Sequence, residues 1–399
     1  MTHDEKLLQY ACEHDIINMS DVQNLYEMDK RKEILKNHGS KIWQGKNGRW
    51  YTYLTDERGV RKQVTRKTRT SLEDAIVANA KEQEENPTLN KVFKEWLKKK
   101  VELDDIAQST RTRYENDWKS YFKEFGKRRI TKITELDIEN FVLRTIHERQ
   151  MTIKAFGGMR TILYGVFRHA KKKRLVDYNI KQVIADIDFS RKTFRKIVKT
   201  DIEQVFFVNE EQEVIKYLTD HPDIVNLGLL LVFKSGLRIG ELVVLQHSDI
   251  SGNLVDVNKT ETSYMKNGKW IREVKYSPKT EAGNRQVIVP DNCLWILKEI
   301  RKLNPFGEWV FMHDGKRYST DAFRKRLYQI CEKTEAVKKS PHKIRKTYGS
   351  ILYDDKNIPE SLICSQMGHT DITCLQKYYY FNRHTKEQQA EMINKIAGL

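Results

Sequence analysis

The spacing of hydrophobic side chains changes twice along this chain, and those changes restrict the possible folds more than any other feature. Residues 41–69 alternate large and polar side chains around the turns KNG and DERG, which is typical of a small three-stranded antiparallel sheet. Residues 88–180 instead repeat their apolar side chains at helical intervals. From about residue 205, helical segments surround a strand-rich stretch at 253–290. Three such different segments in 399 residues predict a multidomain chain.

The predicted architecture is mainly α-helical with small β elements. Residues 186–200 are charged and lack a clear period, so a linker is expected there. Thr134 and Asp137 predict a capping box at the start of one helix. The expected parts are a helical N-terminal segment at 1–38, a three-stranded sheet domain at 39–82, a helical domain at 88–185, a linker at 186–204 and an α+β domain at 205–399.

The charge balance predicts a polyanionic partner. The 72 Lys and Arg residues exceed the 55 Asp and Glu residues, and the net charge of +17 is spread along the chain. A membrane surface would also attract this charge. However, no apolar run approaches the ~18–20 residues of a spanning helix, and the start MTHDEKLL is no signal peptide.

The five cysteines are scattered and lack CxxC spacing, which fits reduced thiols in a cytoplasmic protein better than a disulfide framework. Cys364, His369 and Cys374 lie close in sequence, but no fourth ligand follows at the spacing of a zinc finger. We therefore predict no metal site.

Three groups of cations are candidates for contact with nucleic acid. A basic strand beside Trp50, Tyr51 and Tyr53 could lie in a DNA groove, although a solvated face on a small sheet explains it equally well. The cations that end a predicted helix also suit its dipole, and those in the linker would lie along DNA held between flanking domains. The candidates are Arg61, Lys62, Arg66, Lys67 and Arg69; Lys171, Lys172, Lys173 and Arg174; and Arg191, Lys192 and Arg195.

The motif KSGLRIGEL joins a helix end to an arginine. Gly236 ends an apolar helix and Arg238 opens the next, where its guanidinium and the exposed backbone N–H groups would form an anion site. A surface salt bridge from Arg238 to Glu241 explains the same arginine, and on this motif alone it is the better explanation.

Two later motifs supply histidines and a second arginine. In SPHKIRKTYGS, His342 and Arg345 lie one helical turn apart and face the same way. In MGHT, Gly368 lets the chain turn before His369. Each motif is weak alone, since most histidines after a glycine are caps or core residues. Their combination in this order is far more specific.

The series Arg238, His342-x-x-Arg345, Gly-His369 and then a nearby tyrosine resembles the tyrosine recombinases, the lambda-integrase-like phage and conjugative-transposon integrases. The segment YSPKTEAGNRQVIVP adds Lys279 where that family carries a lysine on a β-hairpin. The resemblance covers essentially the whole chain. The basic sheet is similar to an arm-site DNA-binding domain, the helical part to a core-binding domain and residues 205–399 to a catalytic domain.

The resemblance implies that a phenolate attacks a DNA phosphodiester and releases a 5′-hydroxyl. Arg238 and Arg345 suit the charge that develops on the non-bridging oxygens, and His369 would add a third hydrogen bond. Lys279 would give a proton to the leaving oxygen, while His342 would accept a proton or orient Arg345. The covalent 3′-phosphotyrosine keeps the ester energy, so we expect no ATP, metal or other cofactor.

Three consecutive tyrosines compete for the role of nucleophile. Family members place it nine or ten residues after the Gly-His histidine, which leaves Tyr378 and Tyr379 open. The lead-in TDITCLQK resembles integrases with the longer spacing and favours Tyr379. Tyr380 is the weakest candidate.

The expected function is site-specific recombination for a mobile genetic element, by integration and excision. A type IB topoisomerase is an alternative enzyme with the same chemistry, and a DNA-binding regulator is a non-catalytic one. The resemblance implies double-stranded DNA with core and arm sites as partner, a tetramer on two duplexes, and an excisionase or host DNA-bending protein as accessory. It also implies a bacterial, nucleoid-associated protein in which residues 386–399 pass between protomers.

Overall fold

The computed structural model describes residues 10–11, 14, 16–56, 60–190, 192–276, 283–373, 376 and 379–397. The chain forms two compact units, residues 1–196 and 197–399, and the division falls inside the predicted linker. The other domain boundaries stay predictions. In the described part of the chain, no helix is both long and apolar enough to cross a membrane.

The first unit begins with a small sheet beside two helices. The middle strand pairs antiparallel with both neighbours, and its register with the third strand runs from Trp50 opposite Arg66 to Thr55 opposite Arg61. This confirms the three-stranded sheet predicted from the alternating pattern. The elements are α1 Met19–Lys36, β1 Trp43–Gln44, β2 Trp50–Thr55, β3 Arg61–Arg66 and α2 Arg69–Glu85.

Helices form the rest of the first unit. Its core holds a run of stacked rings, with Trp118 lying 4.0 Å from Phe93 and 4.3 Å from Phe122 between ring centroids. The predicted capping box is present, because Asp137 N–H donates to Thr134 Oγ1 and Thr134 N–H donates to Asp137 Oδ2. The helices are α3 Leu89–Glu102, α4 Gln108–Tyr121, α5 Glu135–Glu148, α6 Ile153–Lys172 and α7 Ile180–Ala185.

The first part of the predicted linker packs on this helical core. The described residues of 188–200 form no regular helix or strand, as the missing period predicts. Yet the rings of Phe189 and Phe194 lie 5.3 and 5.4 Å from that of Phe156. Two aromatic side chains therefore attach the start of this segment to the first unit.

The second unit is built around one buried helix, α10 Ile224–Ser235, which is apolar on nearly all sides. It packs against the helices α9 Val208–Asp220, α12 Leu294–Leu303, α13 Thr320–Lys333 and α14 Pro341–Asp354. Strands β5 Leu254–Val257, β6 Thr260–Lys266, β7 Lys269–Lys275 and β8 Arg285–Ile288 fall within the predicted strand-rich stretch at 253–290, whereas β4 Ile250–Ser251 precedes it. They form the sheet β4-β5-β8 and the hairpin β6-β7. The helices are α8 Asp201–Gln204, α9 Val208–Asp220, α10 Ile224–Ser235, α11 Ile239–Leu242, α12 Leu294–Leu303, α13 Thr320–Lys333, α14 Pro341–Asp354, α15 Glu360–Met367 and α16 Lys386–Ala397. The strands are β4 Ile250–Ser251, β5 Leu254–Val257, β6 Thr260–Lys266, β7 Lys269–Lys275, β8 Arg285–Ile288, β9 Met312–His313 and β10 Lys316–Arg317. The mainly α-helical fold with small antiparallel sheets is confirmed.

Candidate active site

The turn at the end of α10 positions Arg238. Gly236 has a φ of +69°, and a Cβ there would lie 2.3 Å from the Tyr348 ring, so the turn requires glycine. Arg238 then caps α11, and its Nη2 donates to the Gly368 carbonyl at 3.1 Å. The helix end and the helix start predicted from KSGLRIGEL are both present.

The Arg238–Glu241 ion pair is also present, but it is not a pair of surface side chains. Arg238 Nη1 donates to Glu241 Oε1 at 2.8 Å, and Arg285 makes two further bonds to the same carboxylate, each of 3.0 Å. Burial alone would raise the pKa of Glu241, but Arg285 and then Arg238 outweigh it and lower that pKa to about 2. A buried carboxylate therefore holds Arg238 in place, so the ion pair and an anion site are compatible.

Arg345 connects the ends of two helices. Its side chain lies on α14 and is 1% exposed. Nη1 donates to the Gly236 carbonyl at 2.5 Å, and Nη2 donates to the Met367 carbonyl. Burial, and next the charge of Arg238, lower the pKa of Arg345 to about 10, which leaves it cationic at neutral pH. The guanidinium groups of Arg238 and Arg345 thus bind successive carbonyls of one turn.

His369 follows that turn, where Gly368 has a φ of +61° and ends α15. Its Nε2 lies 3.3 Å from Arg345 Nη2. Because a guanidinium can only donate, Nε2 accepts and the ring proton is assigned to Nδ1. Burial and the charges of Arg345 and Arg238 lower the pKa of His369 to about 3. Nδ1 is buried and has no hydrogen-bond partner among the described residues.

The Tyr379 ring lies in the middle of these groups and is 8% exposed. Its centroid is 4.6 Å from that of His369 and 5.5 Å from that of His342, and 5.7 Å from Arg345 Cζ. Its backbone is held by Ser350, whose Oγ donates to the Tyr379 carbonyl at 2.7 Å. The Tyr379 ring thus lies beside Arg345 of its own chain.

His342 is on the face of α14 that points to Tyr379. The residue is exposed, although neighbouring protein atoms remove part of the water around its ring. This desolvation and the charges of Arg345 and Lys346 lower the pKa of His342 to about 4. The imidazole is therefore neutral at pH 7 and can accept a proton.

Five of the predicted catalytic side chains come together in this way: Arg238, His342, Arg345, His369 and Tyr379. Lys279 and the alternative nucleophile Tyr378 lie outside the described residues. Tyr380 is 47% exposed, and its ring packs at 4.6 Å against Tyr353. Among the described residues, no cluster of three or more His, Cys, Asp or Glu side chains is arranged to hold a metal ion.

The predicted DNA-contacting cations of the first unit are exposed, and several have partners in the chain. Arg61 lies 4.3 Å above the Tyr53 ring, while Lys62 pairs with Asp56 at 3.1 Å. Arg69 pairs with Glu73. The remaining candidates are also exposed: Arg66 and Lys67 at the end of the sheet, Lys172 and Arg174 at the end of α6, and Lys192 and Arg195 in the linker. Arg191 lies outside the described residues.

Two cations at the end of α6 bond within their own unit. Lys173 pairs with Glu95 at 2.7 Å, and Lys171 Nζ donates to the Asp177 carbonyl at 2.6 Å. These contacts are compatible with two explanations of the cations: interaction with the dipole at the end of the helix, and contact with DNA.

Sequence reasoning missed Arg285 and Ser350. Arg285 follows the predicted hairpin, but its bond to Glu241 joins positions 44 residues apart. Ser350 sits at the end of the second motif and contacts Tyr379, 29 residues later. The only available signal for Ser350 was its position eight residues after His342 on the same helical face.

Comparisons with known proteins match two parts of this chain to one family. A model of the phage integrase family matches residues 204–385, and a model of the family's N-terminal SAM-like domain matches residues 88–144. The XerC-like tyrosine recombinase of Caldanaerobacter subterraneus subsp. tengcongensis is 23% identical over 385 residues, covering 84% of this chain and 93% of the relative. The ICEBs1 integrase of Bacillus subtilis is 20% identical, covering 68% and 73%.

Solved structures show the same fold. The Tn1549 transposon integrase in complex with circular intermediate DNA has a TM-score of 0.59 at 15% identity, covering 77% of this chain and 99% of that one. The lambda integrase tetramer bound to a Holliday junction has a TM-score of 0.55 at 17% identity, covering 86% and 96%. The family models, the relatives and the shared fold all lead to one assignment. The chain belongs to the phage integrase family of tyrosine recombinases.

Proposed function

We propose that this tyrosine recombinase integrates and excises a mobile element at specific DNA sites, with Tyr379 as its nucleophile. The observation that carries the residue assignment is the position of the Tyr379 ring beside His369, His342 and Arg345. Relatives that are integrases of a conjugative element and of a transposon support the link to mobile DNA.

In the proposed reaction the Tyr379 oxygen attacks the scissile phosphorus. A P–O bond to the tyrosine forms, the P–O5′ bond breaks, and the 5′-oxygen leaves with the electron pair. The proposed acceptor of the phenol proton is the neutral imidazole of His342. Its ring centroid lies 5.5 Å from that of Tyr379. Lys279 is the proposed donor to the 5′-oxygen. Rejoining is the reverse attack by a 5′-hydroxyl of a new strand.

Charge on the transition state would be stabilised by fixed donors. Arg238 and Arg345 are both anchored, one by Glu241 and the other by two helix-end carbonyls. Their positions therefore need little reorganisation when the phosphate arrives. The buried Nδ1–H of His369, which lacks a partner among the described residues, would donate to a non-bridging oxygen.

A nicked suicide substrate tests the assignment of the nucleophile. The wild-type protein should trap a covalent protein–DNA adduct, Tyr379→Phe should trap none, and Tyr378→Phe should retain the adduct. Retention by Tyr379→Phe together with loss by Tyr378→Phe would transfer the role to Tyr378. Plasmid relaxation without strand exchange by the wild type would instead favour the alternative function, a type IB topoisomerase.

We further propose how the chain assembles on DNA. The sheet domain at 39–82 would bind arm sites, and the helical domain at 88–185 would bind the core site together with the catalytic domain. The lambda integrase tetramer bound to a Holliday junction supports four protomers on two duplexes. The proposed place of action is the nucleoid in a bacterial cytoplasm. An excisionase or a host DNA-bending protein would set the direction of recombination.

A further inference from the structure

Beside the candidate active site, two lysines bond to a side chain that carries no charge, and a third lysine lies near them. Gln204 ends α8 and is 7% exposed. Its Oε1 accepts from Lys343 Nζ at 2.6 Å and from Lys346 Nζ at 3.1 Å. Lys199 lies close enough for its charge to act on both other lysines. One amide oxygen does not neutralise three ammonium groups.

The nearby acid is insufficient to balance this cluster. Glu203 acts on Lys199 and Lys343, but its carboxylate bonds the Thr200 N–H and hydroxyl in a helix cap. Desolvation and then the charges of Lys346 and Lys199 lower the pKa of Lys343 to about 8. The buried Nε2 of Gln204 also lacks a hydrogen-bond partner among the described residues. A buried amide donor and surplus positive charge at one place are features of an anion site.

The cluster adjoins the proposed nucleophile. Lys346 Nζ lies 6.0 Å from the Tyr379 ring centroid and 4.5 Å from that of Phe381. Lys343 is in the first turn of α14, where the helix dipole adds positive partial charge. Each DNA strand carries one phosphate per ~3.4 Å of helix axis, so DNA that reaches Tyr379 brings further phosphates next to this cluster.

We propose that Lys199, Lys343, Lys346 and Gln204 form a second phosphate site, which binds a DNA backbone phosphate flanking the scissile one. The inference rests on the proposed function. It adds a second phosphate contact, which fixes the register of the DNA strand on the protein. On binding, the phosphate takes the lysine hydrogen bonds now made to Gln204 Oε1. Because the ligand is a phosphodiester, the contact carries no base information.

The test combines lysine variants with DNA in which single phosphates are replaced by neutral methylphosphonates. The Lys343→Ala/Lys346→Ala variant should reduce the slope of log K against log[salt] by about 1, since both lysines bind the same phosphate and each phosphate contact contributes about 1. Lys298→Ala, which removes an exposed lysine from α12, should leave the slope unchanged. A methylphosphonate at the flanking position should weaken wild-type binding and have no further effect on the double variant.

A second variant separates loss of the site from loss of the fold. Gln204→Glu keeps the shape but adds an anion facing both lysines, so it should reduce DNA affinity with no decrease in melting temperature. An unchanged salt slope in the double variant would overturn the proposal. The same holds if a methylphosphonate at every tested position weakens DNA binding by the double variant as much as it weakens binding by the wild type. Adduct formation by the wild type on unmodified suicide DNA reports the recombinase function separately.

Discussion

Arg345 is the residue on which the geometry of the candidate site depends most. It donates to the carbonyls of Gly236 and Met367, which lie at the C-terminal ends of α10 and α15. Such carbonyls have no partner within their own helices, so the guanidinium satisfies two orphan acceptors in the core. The same group contacts His369 and faces Tyr379. A folding role and a proposed catalytic role therefore coincide in one side chain.

Lysine substitutions should separate these two roles. Arg345→Lys cannot satisfy both carbonyls, so we expect a lower melting temperature together with lost cleavage. Arg238 is 37% exposed, and Arg238→Lys should keep the melting temperature but slow cleavage about 10²–10³-fold. Thermal unfolding and single-turnover adduct formation measure both effects. Full-rate cleavage by Arg238→Lys would remove that residue from the proposed site.

The two histidines make a prediction about pH. The pKa values of His342 and His369, about 4 and about 3, lie below the free value near 6.5. Between these values the two histidines bind more protons in the unfolded chain than in the folded chain. Their contribution to stability is complete above about pH 6.5 and is lost as the pH falls toward the folded values. The free energy of unfolding should therefore decrease between pH 6.5 and 5.

Urea unfolding at several pH values checks this expectation. His369→Gln should show a smaller decrease than the wild type, because one depressed group is gone. His313→Gln serves as the control, since that histidine is 70% exposed. Identical pH dependence of the wild type and His369→Gln would contradict the buried, neutral state of His369.

At the scale of elements, α14 organises the site. His342, Arg345 and Ser350 all belong to this helix, and Ser350 is fully buried. Its Oγ donates to the Tyr379 carbonyl at 2.7 Å and accepts from the Phe381 N–H at 3.1 Å. Further along, Arg383 pairs with Glu211 on α9. The segment that carries the tyrosine is thus fixed at both ends.

Removing the Ser350 hydroxyl should loosen this segment. Ser350→Ala leaves two backbone groups without their partner and should destabilise the fold by about 1–3 kcal/mol. We expect faster hydrogen exchange at residues 379–381 and slower cleavage. Thr347→Val is the matched control, because that buried hydroxyl on the same helix bonds Phe206 N–H instead. Equal exchange at 379–381 in both variants would show that Ser350 does not position the tyrosine.

The sequence predicted those elements whose signals are local. The alternating pattern located the small sheet, Thr134 and Asp137 marked a helix start, and Gly236 marked a helix end. The contacts that complete the site are not local, because Arg285 meets Glu241 and Ser350 meets Tyr379 only after the chain folds. The packing of Phe189 inside the predicted linker was missed for the same reason.

At the scale of the whole molecule, the C-terminal helix keeps apolar side chains open to solvent. Met392 and Ile393 on α16 are 47% and 65% exposed. Exposed apolar residues on a terminal helix suit a partner surface, which in a proposed tetramer would be a neighbouring protomer. The net charge of +17 favours binding to a polyanion such as DNA and does not favour contact between copies of the chain, so this helix is the candidate for assembly.

Deletion of residues 386–399 should therefore impair recombination more than DNA binding. Strand exchange between two sites should decrease strongly, while the affinity for a single core site should remain near that of the wild type. Gel-shift titration and a recombination assay on paired sites measure the two quantities. Equal loss of both, with a lower melting temperature, would mean that the helix supports the fold of its own chain.

The most direct measurement is identification of the tyrosine that becomes bonded to DNA. The wild-type adduct on a suicide substrate is digested with protease and nuclease, and the nucleotide-bearing peptide is sequenced by mass spectrometry. We predict the modification on Tyr379, the phenol that lies beside Arg345, His342 and His369. Modification of Tyr378 or Tyr380 would contradict the account.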